Sequence, residues 1–155
     1  MIEIRRISRD DPLYRQECQL REQVLLADVG LTHASFCEAY PGYEERFEHF
    51  VAVLEHPSGP KVVGCALLLP GETEPHQGKL MQMAVDPQRQ GEGLGRRLVV
   101  AIEGRAFGEL GLTELYCHAQ TVAAEFYGKL GWVADGDEFI EAGIPHFRMS
   151  IQADG

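Results

Sequence analysis

Residues 80–104 constrain the fold more than any other part of the chain. An apolar strand over 79–85, Lys79-Leu80-Met81-Gln82-Met83-Ala84-Val85, stops at Asp86-Pro87. A turn carrying Gly91, Gly93 and Gly95 follows and runs straight into Arg96-Arg97-Leu98-Val99-Val100-Ala101-Ile102-Glu103, a strongly helical stretch. A helix N-terminus leaves about four backbone N–H groups unpaired and carries roughly half a positive charge. Glycines let the backbone approach a ligand closely and take positive φ. Together they make a cradle for a phosphate. It is not a Walker A loop, because no Lys follows the glycines. Nor is it the dinucleotide fingerprint: the spacing is GxGxG, and it falls past mid-chain after a hairpin rather than at the first strand.

The remaining pattern surrounds this unit with strands and helices. Ile2, Ile4 and Ile7 nearly alternate with charged residues, as in a half-exposed first strand. Asp10-Asp11-Pro12 starts a helix that carries Leu13, Leu20, Val24 and Leu25. Residues 28–47 read as a loop and then a short helix. Two apolar runs, 50–54 and 61–69, flank the turn His56-Pro57-Ser58-Gly59-Pro60 and form a hairpin. The second run is continuously apolar and is expected to be buried on both faces. A strand over 112–117 precedes a helix over 121–130, which Gly131 ends. Trp132-Val133, 138–140 and 146–151 are the last strands. The reading is one α/β domain over 1–155, with two helices early and two late, and with no linker or internal repeat.

Composition narrows the function classes. The chain has 155 residues, 45% hydrophobic and 25% charged, as a soluble globular protein does. Its formal charge of −10 makes it a poor general binder of nucleic acid or of an anionic membrane. No apolar run reaches the roughly 18 residues of a membrane span, and the first residues lack an apolar signal core. Cys18, Cys37, Cys65 and Cys117 form no CxxC pair. They read as reduced thiols of a cytoplasmic protein rather than as a zinc or redox motif, and no metal is expected.

Two segments carry a family resemblance. Residues 85–98, with Gln90, Gly93 and Gly95 in the pattern Arg/Gln-x-x-Gly-x-Gly/Ala, resemble the acetyl-CoA-binding segment of the GNAT (GCN5-related N-acetyltransferase) superfamily. Residues 123–132, Ala-Ala-Glu-Phe-Tyr-Gly-Lys-Leu-Gly-Trp, resemble that family's A-x-x-F-Y-x-K-x-G-F segment. Six residues alone are a weak signal. Both elements in this order and at this chain length are a strong one. The ending, from Phe139 through Gly143-Ile144-Pro145-His146, further resembles a small, mostly uncharacterised bacterial subgroup.

The resemblance implies an α/β (mixed α+β) fold. Its central, mostly antiparallel mixed sheet has about six to seven strands, is flanked by about four helices, and splays between the fourth and fifth strands. It implies acetyl-CoA as co-substrate, with the pyrophosphate on the turn formed by Gln90, Gly91, Glu92, Gly93, Leu94, Gly95 and Arg96. The pantetheine arm would lie along Met83, Ala84 and Val85, with Ala123 and Phe126 nearby. Gln120 stands where many members have an Asn that contacts the pantetheine. A backbone N–H near Met83 would polarise the thioester carbonyl. Tyr127 matches the tyrosine that protonates the leaving thiolate.

One element of the chemistry is missing. Many members have a Glu on the strand before the turn, where this chain has Gln82, which cannot take a proton. Base candidates are His118, His49, His146 or a chain of waters. The expected reaction is acetyl transfer to a primary amine of a small molecule or peptide, by direct attack in a ternary complex. The alternative is a non-catalytic module that binds acyl-CoA and reports its level. The acceptor wall would come from 21–45, with Arg21, His33 and Tyr40 as candidates. Acidity favours cationic acceptors. Dimers are common in the family, so a homodimer is a further expectation.

Overall fold

A computed structural model describes residues 1–154. Eight strands form one mixed sheet: β1 (Ile2–Ile7), β2 (Glu48–His56), β3 (Gly59–Pro70), β4 (Gln77–Val85), β5 (Glu114–Gln120), β6 (Val133–Ala134), β7 (Phe139–Glu141) and β8 (Ile144–Gln152). The spatial order is β1-β2-β3-β4-β5-β8-β6, and β7 also pairs with β8. Every neighbouring pair is antiparallel except β4 with β5. A parallel pair needs a crossover, and here the glycine turn and its helix supply it. Five α-helices flank the sheet: α1 (Tyr14–Arg21), α2 (His33–Ala39), α3 (Tyr43–Arg46), α4 (Leu94–Glu103) and α5 (Ala124–Lys129). The fold class is the expected one, with one more strand and one more helix than anticipated. The extra helix is the single turn α3.

β3 divides the molecule into two layers. Cys65, Leu67 and Leu69 face one side, where Leu13 and Leu20 of the α1 region and Phe36 of α2 cover them. Ala66 and Leu68 face the other side, against Leu98, Val99 and Ile102 of α4. All five β3 residues are fully buried, which accounts for the unbroken apolar run. Each large α4 side chain that leaves water here contributes about 1.5–3 kcal/mol.

The helix boundaries depart from the sequence reading in instructive ways. Asp10-Asp11-Pro12 does not open α1 directly. The Asp11 carboxylate accepts from the Leu13 backbone N–H at 2.9 Å, and the regular helix begins at Tyr14. α1 then widens into a π turn over Glu22–Leu26, and α4 does the same over Gly104–Glu109. The helix expected over 121–130 opens with a 3-10 turn, Thr121–Ala123. Gly131, at φ +94°, ends it as expected. Among the described residues, no helix is long and apolar enough to cross a membrane.

Candidate active site

The sheet is held together only weakly at its centre. β4 and β5 pair at Gln77 with Glu114, Gly78 with Leu115 and Lys79 with Tyr116, and then diverge. A bulge on the other edge of β4 contributes to the divergence. Cys65 of β3 faces Ala84, but Leu67 faces Met81, so Gln82 and Met83 together oppose Ala66. Gln82 sits at φ +45°. A left-handed conformation costs a residue with a Cβ about 1–2 kcal/mol. The strain is held by a hydrogen bond, Arg21 Nε donating to Gln82 Oε1 at 2.8 Å.

The glycine turn and the β4 end enclose a first cavity of about 590 Å³. Met83, Ala84 and Val85 form one wall, and Gln90, Gly91, Gly93, Leu94, Gly95 and Arg96 form the mouth. Ala123 and Phe126 close the side toward α5. Gly91 and Gly93 stand at φ +86° and +79°, and Gly93 is the residue on which α4 starts. At Gly95 a Cβ would press on Phe126 Cζ at 3.3 Å, so the small residue lets α4 and α5 approach. Two candidates fall outside this cavity. The Glu92 side chain points to solvent and pairs with Arg89 at 3.6 Å. Gln120 lines a second cavity, in the gap itself. Conversely, Val24 and Arg89 line the cavity without having been singled out in the sequence. Val24 belongs to the π turn after α1, a contact no local motif announces.

A second cavity of about 310 Å³ occupies the gap itself and shares Met83 and Ala123 with the first. Gln82, Cys117, His118, Gln120, Tyr127, Glu141 and His146 line it. Tyr127 is 5% exposed and packs between Phe126 and Trp132, with ring centroids 5.0 and 5.3 Å away. Burial pushes its phenol well above the usual range, and the adjacent Cys117 adds to this. Burial also pushes the Cys117 thiol up to about 12. At neutral pH, therefore, Tyr127 holds its proton. Of the three histidine base candidates, His118 and His146 reach this cavity. His49 does not: it is buried, with Nδ1 donating to Glu17 Oε2 at 2.7 Å and Nε2 3.4 Å from the Glu44 carbonyl.

The structure draws two of the acceptor-wall candidates, Arg21 and His33, into a buried polar cluster. Arg21 is fully buried and cannot touch an acceptor. Its Nη1 and Nη2 donate to the two Glu44 carboxylate oxygens at 2.6 and 3.0 Å, and Nη1 also reaches Glu17 at 3.1 Å. Tyr14 donates to Glu44 Oε1 at 2.6 Å. Burial alone would raise the Glu44 carboxyl, but the Arg21 and Tyr14 hydrogen bonds outweigh it and hold Glu44 at about 2. Cys18, His33 and Glu44 converge closely enough to resemble a ligand set, as do Glu17, Glu44 and His49. In both groups the Arg21 guanidinium already supplies the positive charge at Glu44. His33 hydrogen-bonds into this cluster rather than facing the gap. Tyr40 is half exposed and packs on Phe36 and Tyr43.

A glycine turn at a helix start thus opens onto a split sheet, with a buried phenol at the split. The chain belongs to the GNAT acetyltransferase family: the family model described as acetyltransferase (GNAT) domain matches residues 29–153. It is 29% identical over 147 residues to YyaT of Bacillus subtilis, itself uncharacterised, a match covering 95% of this chain and 93% of that protein. Its fold is similar to that of an acyl-CoA N-acyltransferase from Pseudomonas aeruginosa (TM-score 0.76, 21% identity, 97% of this chain and 99% of that one). It is also similar to that of an aminoglycoside 6'-N-acetyltransferase complexed with coenzyme A (TM-score 0.74, 18% identity, 97% and 96%). Family membership makes acyl-CoA-dependent N-acyl transfer the general activity class of this chain.

Proposed function

We propose that this chain is a single N-acetyltransferase domain that moves acetyl from acetyl-CoA to a primary amine by direct attack in a ternary complex. The observation that carries this reading is the junction of the two cavities at Met83 and Ala123, with the glycine turn at one end and Tyr127 at the other. The amides of the turn from Gln90 to Arg96, at the positive end of α4, bind the pyrophosphate. Past Lys79 the edge of β4 that faces β5 has no ladder partner among the described residues, so its backbone groups near Met83 and Val85 are open to an extended pantetheine arm. Acetyl-CoA supplies an activated thioester when bound. A backbone N–H near Met83 polarises its carbonyl. Tyr127, kept protonated by its burial, gives a proton to the departing sulfur. The solved relative with coenzyme A supports this choice of co-substrate by analogy of fold. The fit does not extend to Glu92, whose side chain faces solvent; only its backbone belongs to the cradle.

Calorimetric titration tests the co-substrate. CoA and acetyl-CoA bind in the micromolar range, and NAD and ATP bind far more weakly; no binding of the CoA compounds overturns the reading. Tyr127→Phe then lowers kcat for acetyl transfer by roughly 100-fold with CoA affinity unchanged. Equal kcat in the two proteins removes Tyr127 from the chemistry. Gln82, in a place where a carboxylate would serve as base, favours one second reading, an acyl-CoA sensor. Such a protein binds acetyl-CoA and releases no thiol with any amine.

A further inference from the structure

We propose that His118 is the general base of this site, held in its working tautomer by Glu141. The inference rests on the transferase reading and supplies the group that Gln82 cannot be. An alkylammonium with a pKa near 10 must lose a proton before its nitrogen can attack. Gln82 cannot take that proton, and its Oε1 is already occupied by Arg21.

His118 stands on β5 just past the last β4–β5 pair, where the strands part. Its Nδ1 lies 2.9 Å from Glu141 Oε1. A carboxylate only accepts, so Nδ1 carries the hydrogen, and in the neutral ring the lone pair is then on Nε2. Base and orienting carboxylate therefore form the pair that nucleophilic and acid–base sites use repeatedly. Glu141 is fixed by the β7–β8 hairpin, whose turn uses Ala142 at φ +52° and Gly143 at φ +77°. Phe139 of the same hairpin meets the His118 ring edge-on at 5.2 Å.

His146 is the rival, and its geometry assigns it a different part. Its Nδ1 donates to the Ile144 carbonyl at 2.7 Å, and its ring stacks on Phe139. Its Nε2 lies 3.8 Å from Glu141 Oε2, on the oxygen that His118 does not use. The His146 side chain is 8% exposed and that of His118 29%, so His118 has the route by which a proton can leave to water. The other ionisable groups around His118 are accounted for. Tyr116 neighbours it on β5, and Lys79 and Tyr127 line the same cavity from β4 and α5. Arg148 is its cross-strand partner on β8, but that guanidinium pairs with Asp135 and Glu114 and lies over the Tyr116 ring.

The step balances as follows. His118 Nε2 takes one proton from the ammonium, which leaves an amine lone pair. The nitrogen bonds to the acetyl carbon as the carbon–sulfur bond breaks and sulfur keeps the electron pair. Tyr127 protonates the sulfur, and the surplus proton on nitrogen restores the tyrosine. His118 then releases its proton to water. One ammonium and one thioester give one amide, one thiol and one proton. Glu141, a positioning residue, also places a negative charge at the rim, which suits a cationic acceptor.

Two measurements test this. Nitrogen-15 NMR of the histidine-labelled full chain reads the tautomer without any turnover. His118 is expected as the Nδ1–H form in the parent and to lose that preference in Glu141→Leu, which leaves no acceptor; an Nε2–H form in the parent overturns the proposal. Acetyl transfer from acetyl-CoA is then compared for an alkylamine panel (spermidine, lysine, glucosamine and tyramine) and for hydroxylamine, whose nitrogen is already neutral at pH 7. His118→Gln is expected to lower the alkylamine rate by about 100-fold and the hydroxylamine rate by less than about threefold. An equal fall for both nucleophiles, or no fall for either, overturns it. So does a parent protein that binds acetyl-CoA and acetylates hydroxylamine but no alkylamine. Failure to bind acetyl-CoA at all refutes the underlying transferase reading instead, and calorimetry separates that result from the others.

Discussion

At the scale of single residues, the most consequential side chain is Arg21. It joins α1 to α3 through Glu44 and to the β4 bulge through Gln82, with no exposure to solvent. Removing one partner of a buried ion cluster leaves the others uncompensated, so Arg21→Met is expected to cost about 3–5 kcal/mol of stability, measured by urea unfolding. The same cluster sets an acid dependence. Glu44 is held at about 2, below the ordinary 4.5 of a free carboxyl. Its stabilisation is complete above the unfolded value and is lost as pH falls from about 4.5 through about 2. The loss is on the order of 3 kcal/mol, and unfolding followed against pH in Glu44→Gln is expected to show a shallower slope in that window. None of this was legible in the sequence. Arg21 and Glu17 share a helix face, but Glu44 lies 23 positions from Arg21, and His49 lies 32 from Glu17. Only the fold brings them together.

At the scale of elements, local pattern was a good guide and long-range pairing was not. The strand, glycine turn and helix were legible because the turn's own backbone, glycines at positive φ leading into a helix start, is set by local sequence. Gln120, at the end of β5, lines the gap cavity rather than the one under the glycine turn, a distinction that depends on how β5 sits against β4. The bulge at Gln82 was hidden because register depends on β3, which no reading of β4 alone supplies. Two glycines make opposite predictions from their surroundings. Gly104 is helical at φ −60°, and nothing lies within 4 Å of where its Cβ would be. Gly104→Ala is expected to stabilise the protein by about 0.5–1 kcal/mol. Gly78, at the β4–β5 junction, would press its Cβ on Leu68, Leu112 and Leu115 at 3.0–3.1 Å. Gly78→Ala is expected to destabilise by about 1–3 kcal/mol. Thermal unfolding of the two variants checks both signs.

At the scale of the whole molecule, the sheet consists of two leaves. β1 to β4 make one and β5 to β8 the other, and three parallel residue pairs join them. Mechanically this is a book with a short spine. A molecule that lies in the crease and bonds to both leaves works as a rivet, and on the proposed reading acetyl-CoA is that molecule. Amide hydrogens of β5 and β8 are expected to exchange with solvent more slowly once CoA is added, over and above those that touch it, and mass-resolved exchange reads this directly. The consequence reaches turnover. A spent rivet must come out before the next one enters, so the pace of such a protein is bounded by how often its covers part.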